Sequence, residues 1–430
     1  MLLNMTAVSQ TPGSEPSRLW NRGFLALMAT QVAGATNDNL LKAILLTAVA
    51  ASGVWEGVLG PGGTGWVSFM LTAPFVILLG YAGQLADRLP KNRITVATRL
   101  AEVPIAALAL IGFMLDSPWI VIVAFLLLSS ESAFFSPSKY GVIKEYVGES
   151  QLSRANGVIN GSTNVAIIGG SVLGGYLLQT GMMWAGVVLV AMAVAGLVAS
   201  LFMPYTAPVN PGLPWSWDPT KSYRASIQSM RATACDEHGR SALWIAVLAW
   251  ASFFMIAILV LAVVPEYKEP LGLSETQTGG LLAALGVGIG AGCVGAAVLS
   301  GRHIRLWFVP IGGGLMGLIM IGLGFVPAQT ETLPYWWLFG TLVVAGIFAG
   351  FYIVPLQALQ QALAADEFRA RVLGTANALS FLLMAIASLF YAIVVGQGWL
   401  TPQQVLMLCG GGMLVLVGWL IRRRQTFSLV

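Results

Sequence analysis

Long apolar stretches alternate with short polar or turn-rich breaks along almost the whole chain. A helix that crosses the hydrocarbon core of a membrane needs roughly 20 mostly apolar residues, and most of the stretches reach that length. Taken between the charged and turn-rich breaks, they predict twelve membrane-spanning helices, at residues 21–51, 66–86, 94–115, 119–136, 155–179, 182–203, 241–264, 276–299, 305–326, 335–360, 371–396 and 403–421. The pattern therefore predicts an all-α polytopic membrane protein.

The longest polar segment, residues 204–240, is rich in proline and then in Lys and Arg. It divides the predicted helices into an N-terminal half at 20–203 and a C-terminal half at 241–421, so we expect it to be a linker. Residues 1–19 are polar and rich in Ser, Thr and Pro, which predicts a disordered tail rather than a cleavable signal peptide. Residues 422–430 predict a short basic tail.

A faint repeat relates the two halves. The segment Phe134 to Pro137 leads through a polar loop to Gly157, and the segment Phe351 to Pro355 leads through a similar loop to Gly374, about 217 residues later. Both copies lie in the same predicted membrane orientation. Two parallel six-helix halves with a site between them near the bilayer midplane are the arrangement of the major facilitator fold, which we therefore predict.

Composition and charge exclude a soluble protein. The chain has 430 residues, of which 57% are hydrophobic and only 9% are charged, whereas soluble domains carry roughly 25% charged residues. Basic residues occupy alternate loops and the linker, and the opposite loops hold mainly acidic ones. By the positive-inside rule, we expect both termini and the linker in the cytoplasm. The net charge of +4 is dispersed over helix ends, so we expect no nucleic-acid partner.

The residues that carry most metal and hydrolytic chemistry are few and scattered. The chain has three cysteines and two histidines, without metal-ligand spacing. Two of the cysteines fall in apolar stretches, where a thiol behaves as a small core residue, and we expect no disulfide. The sequence therefore favours a transporter over an enzyme, with no metal and no cofactor.

The segment from Gly83 to Lys91, between the second and third predicted helices, resembles the cytoplasmic signature of the major facilitator superfamily. The resemblance implies a cytoplasmic gate formed by Gly83, Asp87, Arg88 and Lys91. Gly83 would allow close helix contact, and Asp87 would pair with a base or a helix N-terminus across the interface between the halves. The alternative is an ordinary positive-inside loop, which needs bases but no Asp at that place.

Ionisable side chains inside the predicted helices are functional candidates, because each costs roughly 2.5–3.5 kcal/mol or more at a helix centre. The N-terminal half has Asp38, Lys42, Glu102 and Glu131, with Lys139 at the end of its fourth predicted helix. Asp38 and Lys42 are four residues apart and can pair on one helix face, either structurally or until a ligand separates them. Glu102 and Glu131 would either carry a proton that is coupled to transport or only form static hydrogen bonds. Lys139 would either bind substrate or be an interfacial lysine that snorkels to the membrane surface.

The C-terminal half has no charged residue away from the ends of its predicted helices. Its seventh and tenth predicted helices instead offer large apolar and aromatic side chains for an apolar chain pocket, namely Phe253, Phe254, Met255, Phe348, Phe351 and Tyr352. A cavity between a polar wall and an apolar wall fits an amphiphile better than a sugar or a small ion.

Several segments of the N-terminal half together resemble the bacterial lysophospholipid transporters. They are residues 34–42, 99–102, 132–141, 155–157 and 169–175. The resemblance covers most of residues 20–205, and across 241–421 it is mainly one of hydropathy. Related sequences also form the transporter half of fusion proteins that continue into an acyltransferase and an acyl-carrier-protein synthetase.

The resemblance implies a flippase that moves lysophosphatidylethanolamine and lysophosphatidylglycerol from the outer to the inner leaflet of the bacterial cytoplasmic membrane by alternating access. Asn37, Asp38 and Asn39 would line the head-group side, and Lys139 beside Tyr140 would reach the phosphate. The chain stops at Val430, so we expect a separate acyltransferase or acyl-carrier-protein synthetase as partner. We also expect the transporter to be a monomer.

Two other functions stay open at this point. A proton-coupled exporter of drugs or amphiphilic metabolites would use Asp38, Glu102 or Glu131 for coupling. A non-transporting membrane scaffold or sensor is disfavoured, because a purely structural bundle has little reason to bury charges in one half only.

Overall fold

The structure is a computed structural model that describes residues 19–50, 53–148, 151–208, 210–212, 214–218, 220–233, 235, 241–300, 304–325, 335–364 and 369–423. These residues form the helices α1 (Arg22–Val49), α2 (Gly63–Arg88), α3 (Lys91–Met114), α4 (Pro118–Val147), α5 (Leu152–Thr180), α6 (Met182–Leu201), α7 (Lys221–Ala232), α8 (Ala242–Val263), α9 (Glu275–Ser300), α10 (Phe308–Gly324), α11 (Tyr335–Leu363), α12 (Arg369–Gly396) and α13 (Pro402–Arg422). Nearly all of the two predicted tails lies outside the described residues.

Twelve of these helices confirm the twelve predicted spans, and every boundary but one agrees within about three residues. Among the described residues, nine helices are long and apolar enough to cross a membrane, and α10 is apolar but has 17 residues. Helices α1 and α5 have 28 and 29 residues but fall outside that class, because polar side chains interrupt their apolar sequence.

The exception is the end of α4, which was predicted at Ser136 and lies at Val147. The sequence predicts that the helix ends just before Pro137. The helix instead continues through this proline, as α11 continues through Pro355. A proline removes one backbone donor, and membrane helices tolerate this where neighbouring groups compensate the freed carbonyl. Lys139 therefore lies inside a helix rather than at its end.

The linker contains one helix that was not predicted, α7, and packs along the end of α2. Gln84 of α2 exchanges two hydrogen bonds with the backbone of Ser216, at 2.8 and 3.1 Å. The backbone N–H of Asn210 donates to the carbonyl oxygen of Asp87 at 2.8 Å. On α7, Met230 is fully buried while Arg231 is exposed, so the helix presents an apolar side to the protein.

Helices α1–α6 and α8–α13 form the two halves, which meet where α5 packs on α9 and α2 packs on α12. Glycines make these contacts close. A Cβ atom on Gly175 would lie 2.6 Å from the carbonyl oxygen of Glu275 and 3.1 Å from Cα of Gly279. A Cβ atom on Gly65 would lie 2.7 Å from the backbone nitrogen of Ala392. Side chains at these positions would push the halves apart.

We call the face at which α1 begins and α13 ends the terminal face, and the opposite one the distal face. At the distal face, the Thr64 hydroxyl donates to Glu266 at 3.1 Å and the Thr276 hydroxyl donates to Gln179 at 2.6 Å, both between the halves. Nearer the terminal face, a Cβ atom on Gly83 would meet nothing within 4 Å. The predicted close helix contact at Gly83 is therefore wrong for this structure, because the described contacts between the halves lie mainly on the distal side.

We expect a short thiol-reactive crosslinker to join the halves when Gln179 and Thr276 are both replaced by cysteine, because their side-chain oxygens lie 2.6 Å apart. The background replaces the three native cysteines, and a protease site in the linker lets a gel distinguish joined from separate halves. Thr180→Cys with Thr276→Cys is the matched control, since the Thr180 hydroxyl bonds to Tyr176 of its own helix. Equal crosslinking of both pairs would contradict the described interface.

Candidate functional site

A cluster of charged side chains lies inside the N-terminal half, with Arg99 of α3 at its centre. Arg99 is 1% exposed and forms an ion pair with Glu102 one turn later. Its Nη2 atom also lies 2.9 Å from Oε1 and 3.2 Å from Oε2 of Glu131 on α4. Glu102 is 0% exposed, so the cation and its two carboxylates are removed from solvent together. Such burial is tolerated only when charges are paired.

Two uncharged residues shape the space around the guanidinium. A Cβ atom on Gly34 of α1 would collide with Nη1 of Arg99, so a larger residue there would force the guanidinium group out of its position. The ring centroid of Phe135 lies 4.4 Å from Cζ of Arg99, which is a cation–π contact. Helices α1 and α4 therefore both hold Arg99 in place.

Asn37, predicted to line the head-group side, is fully buried in this structure. Its amide nitrogen donates to Glu102 at 2.8 Å and to the carbonyl oxygen of Leu189 on α6 at 3.0 Å. Both donors are thus used within the protein. Through its amide nitrogen, Asn37 positions Glu102 and ties α1 to α6, while its buried Oδ1 has no hydrogen-bond partner among the described residues.

The predicted ion pair between Asp38 and Lys42 is wrong. Asp38 Oδ2 accepts a hydrogen bond from the Ser132 hydroxyl of α4 at 2.8 Å. Lys42 donates instead to Oδ1 of Asn39, whose amide nitrogen donates to the Ala35 carbonyl at 2.8 Å. Each side chain has a nearer hydrogen-bond partner. The partner of Asp38, Ser132, lies on α4, and the sequence does not show that α4 packs beside α1 at this point. Asp38 and Lys42 stay partly exposed, and they form the accessible edge of the cluster.

Lys139 and Tyr140 lie on α4, about two turns from Ser132 toward the terminal face. The Lys139 ammonium is 4.5 Å from the ring centroid of Tyr140 and 5.9 Å from that of Phe135. Among the described residues, no carboxylate pairs with Lys139. Phe135 thus lies between the buried Arg99 and a half-exposed lysine that has only aromatic partners.

The residues predicted as a cytoplasmic gate make their described contacts with the N-terminal half and with the linker. Lys91 is 4% exposed and forms an ion pair with Glu145 of α4. Arg88 lies 5.7 Å from the ring centroid of Trp215 in the linker. The longer α4 is the reason for the first contact, because it carries Glu145 beside Lys91. Pairing of Asp87 across the interface stays a prediction.

Five of the six residues predicted to line an apolar chain pocket lie in or against one hydrophobic core of the C-terminal half. Phe253 and Tyr352 are buried in the core of the C-terminal half, 3% and 0% exposed, and the Tyr352 hydroxyl donates to the Ala249 carbonyl at 3.1 Å. Phe351 packs against Phe308 with ring centroids 5.0 Å apart. These three are packing residues here. Phe351 is half-buried, as are the remaining members Phe254, Met255 and Phe348.

An apolar cavity of about 500 Å³ reaches the charged cluster between α2, α3 and α4. Glu131 and Thr98 are among its lining residues, and Arg93 lies at the end toward the terminal face. Most of the remaining lining is aliphatic or aromatic, from Leu85, Leu89, Ile94, Ala97, Ala101, Ile105, Leu127 and Phe134. The buried carboxylate thus borders an apolar space outside the ion-pair network.

Sequence reasoning missed Arg99, the centre of the cluster, together with Gly34, Ser132 and Phe135. For Arg99 a signal was present, because it falls inside the third predicted helix and precedes Glu102 by three residues. That spacing places both side chains on one helix face. The other three act across helices, so their roles depend on how α1, α3 and α4 pack.

We expect Arg99→Met to destabilise the protein by about 3–5 kcal/mol, because it leaves two buried carboxylates without their cation. Adding Glu102→Gln and Glu131→Gln removes the uncompensated charge and is expected to recover much of the loss. Thermal unfolding in detergent is the measurement. Arg224→Met is the control, because Arg224 is exposed and 4.0 Å from its partner Asp218. An Arg99→Met protein as stable as this control would contradict the buried-pair interpretation.

Comparisons with known proteins agree with this arrangement. The family model of the Major Facilitator Superfamily matches residues 23–388. The lysophospholipid transporter LplT of Enterobacter sp. (strain 638) is 30% identical over 348 residues, covering 80% of this chain and 81% of that protein. The protein of the same name from Citrobacter koseri is 29% identical over 424 residues, covering 95% and 97%.

Solved structures share the fold at low sequence identity. A POT family transporter in complex with a thioalcohol-conjugated peptide superposes with a TM-score of 0.73 at 11% identity, covering 96% of this chain and 99% of that one. A bacterial homologue of the human lysosomal transporter Spinster gives a TM-score of 0.62 at 14% identity, covering 97% of each chain. Because the family model spans most of the sequence and a 30% identical relative covers four fifths of it, the chain belongs to the Major Facilitator Superfamily and, within it, to the family of the lysophospholipid transporters LplT.

Proposed function

We propose that this protein is a lysophospholipid transporter of the bacterial cytoplasmic membrane that moves its substrate from the outer to the inner leaflet by alternating access. The names of its relatives support the substrate class. The observation that carries the proposal is the two-layered cluster of the N-terminal half. Its base of Arg99, Glu102 and Glu131 is buried and paired, while Asp38 and Lys42 at its edge are partly exposed.

The exposed edge fits a zwitterionic head group. Asp38 offers a carboxylate to an ammonium group, and Lys42 offers an ammonium to a phosphate, from positions one helical turn apart. Each has an exchangeable partner, Ser132 for Asp38 and Asn39 for Lys42. A ligand that replaces these hydrogen bonds with charge-assisted ones gains binding energy.

Lys139 and Tyr140 are the next polar residues that a head group would contact on its way toward the terminal face. A lysine whose described partners are aromatic rings retains its capacity to bind a phosphate. The acyl chain would follow apolar surface, either the half-buried Phe254, Met255 and Phe348 of the C-terminal half or the cavity between α2, α3 and α4. The head group and the chain would therefore travel in separate environments.

The charge pattern of the loops supports a cytoplasmic terminal face, with both chain ends and the linker on that side. Under this orientation, the described structure is closed toward the outer leaflet. Opening the distal face would separate Thr64 from Glu266 and Thr276 from Gln179. After release, a separate acyltransferase would restore the second chain of the lipid, and the transporter itself would act as a monomer without enzymatic activity.

A second candidate, proton-coupled export of an amphiphile, has one observation in its favour. Asp38, Glu102 and Glu131 lie around a single arginine, and Glu131 also borders a cavity. Under this alternative, Glu131→Gln would abolish transport driven by a pH gradient. Under lysophospholipid transport down a concentration gradient, it would leave the direction of transport unchanged.

We expect Asp38→Asn and Lys139→Ala each to reduce lysophosphatidylethanolamine transport about tenfold or more, because each removes one charge-assisted contact with the head group. The measurement follows labelled lysolipid between leaflets of proteoliposomes. Lys144→Ala is the matched control, since Lys144 is an exposed lysine near the end of the same helix. Lys139→Arg, which keeps the charge, is expected to retain most activity.

Normal transport by both Asp38→Asn and Lys139→Ala would disprove the site but not the function. Failure of the wild-type protein to move lysolipid from the outer leaflet would disprove the function itself.

A further inference from the structure

A second cavity, of about 370 Å³, lies at the terminal face of the C-terminal half, where α7 and α13 end and α8 begins. Its polar rim consists of Arg231, Ser241 and Arg423, and its walls include Trp244 and Trp419. Ile245 and Leu248 complete the lining with aliphatic side chains. None of these residues belongs to the charged cluster of the N-terminal half.

Two guanidinium groups enter this cavity, each lying over a tryptophan. Cζ of Arg231 is 4.9 Å from the ring centroid of Trp244, and Cζ of Arg423 is 5.8 Å from that of Trp419. Among the described residues, no acidic side chain lines the cavity and no carboxylate pairs with either arginine. The cavity therefore has two positive charges whose described side-chain contacts are aromatic.

The frame of the cavity is well defined by hydrogen bonds and packing. Ser241 is the N-cap of α8, where its Oγ accepts from the Trp244 N–H at 3.1 Å. The same hydroxyl contacts the carbonyl oxygen of Met230 at 2.6 Å, which fixes the end of α7 beside α8. Met230 in turn packs with Leu243 and Val247 of α8. Arg231, the next residue, is thereby held over the cavity.

Three features together identify the ligand class. Arginine guanidinium groups match the geometry of phosphate oxygens. Tryptophans at helix ends are typical of the membrane–water interface, and an aliphatic wall continues from the charged rim toward the middle of α8. A free phosphate ion would make no favourable contact with the aliphatic wall. A phospholipid would place its phosphate at the charged rim and its acyl chain along that wall.

We propose that this cavity binds the head group of an anionic membrane phospholipid, with its phosphate between Arg231 and Arg423 and the start of an acyl chain along Ile245 and Leu248. The site is separate from the transport pathway and does not rest on the proposed substrate. Because α7 supplies one of the two arginines, the bound lipid joins the linker to α8 and α13.

The test uses the full-length protein in detergent with added phosphatidylglycerol or phosphatidylcholine, read out by native mass spectrometry and by thermal unfolding. For the wild-type protein, we expect phosphatidylglycerol to be retained and to raise the melting temperature more than phosphatidylcholine does. The double variant Arg231→Gln, Arg423→Gln is expected to retain at least fivefold less phosphatidylglycerol and to lose most of that difference.

The matched control is the double variant Arg22→Gln, Arg224→Gln. Arg22 also lies over an aromatic ring at the terminal face, 5.5 Å from the centroid of Phe202, and Arg224 lies on α7. The test variant and the control variant each remove two positive charges from the terminal face. If the arginines attracted anionic lipid only by their charge, both double variants would therefore lose the same amount of bound phosphatidylglycerol. Equal loss in both, or no loss in either, would overturn the proposal.

Two further arms separate the remaining outcomes. Protection of the wild-type protein by millimolar inorganic phosphate equal to that by phosphatidylglycerol would show an ion site and overturn the lipid assignment. Asp38→Asn is expected to keep the phosphatidylglycerol effect, and its loss there would place the bound lipid in the transport site instead. If the glutamine double variant does not fold, Arg231→Lys with Arg423→Lys preserves charge but not bidentate geometry, and unchanged retention would likewise contradict the proposal.

Discussion

A charge inside a membrane protein has to be neutralised within the protein, and the N-terminal half is organised around that constraint. Arg99 is enclosed by Glu102 of its own helix and Glu131 of α4, while α1 passes over it at Gly34. The contact with Glu131 fixes α4 relative to α3, and the contact at Gly34 fixes α1 relative to α3. Asn37 extends the network to α6 through its bond to the Leu189 carbonyl. The helices that carry the cluster are therefore positioned by polar contacts. Apolar packing alone would distinguish weakly between alternative helix arrangements, because the surrounding lipid is as apolar as the side chains.

The same network separates structural charges from available ones. In the middle of the cluster, Arg99, Glu102 and Glu131 are paired with each other, and both amide hydrogens of Asn37 are donated. Asp38 and Lys42 at its edge have only neutral hydrogen-bonding partners, Ser132 and Asn39, which a charged ligand can displace. A buried ion network that holds the backbone still, beside two charges that are free to exchange partners, gives a transporter both rigidity and a binding surface.

The C-terminal half solves its packing with small residues and apolar side chains. Glycines bring α9 and α11 into close contact, as where a Cβ atom on Gly292 would collide with the backbone of Ile347. Its described charges lie near the helix ends, and Arg231 of the linker and Arg423 line the cavity at its terminal face. The two halves thus share a fold and a faint repeat but differ in the chemistry that stabilises them, and this difference gives an amphiphile two distinct surfaces.

The sequence by itself determined the twelve helices, their division into two halves and the half that contains the buried charges, because hydropathy and charge are local properties that the membrane selects directly. A local signal for Arg99 was also present in its i,i+3 spacing from Glu102, although Arg99 was not predicted as a site residue. Only the tertiary structure decided that α4 continues through Pro137, that Asp38 bonds to Ser132 rather than to Lys42, and that Tyr352 belongs to the core. These outcomes depend on which helix lies beside which, and a side chain with two possible partners is assigned only by the distances that the packed helices impose.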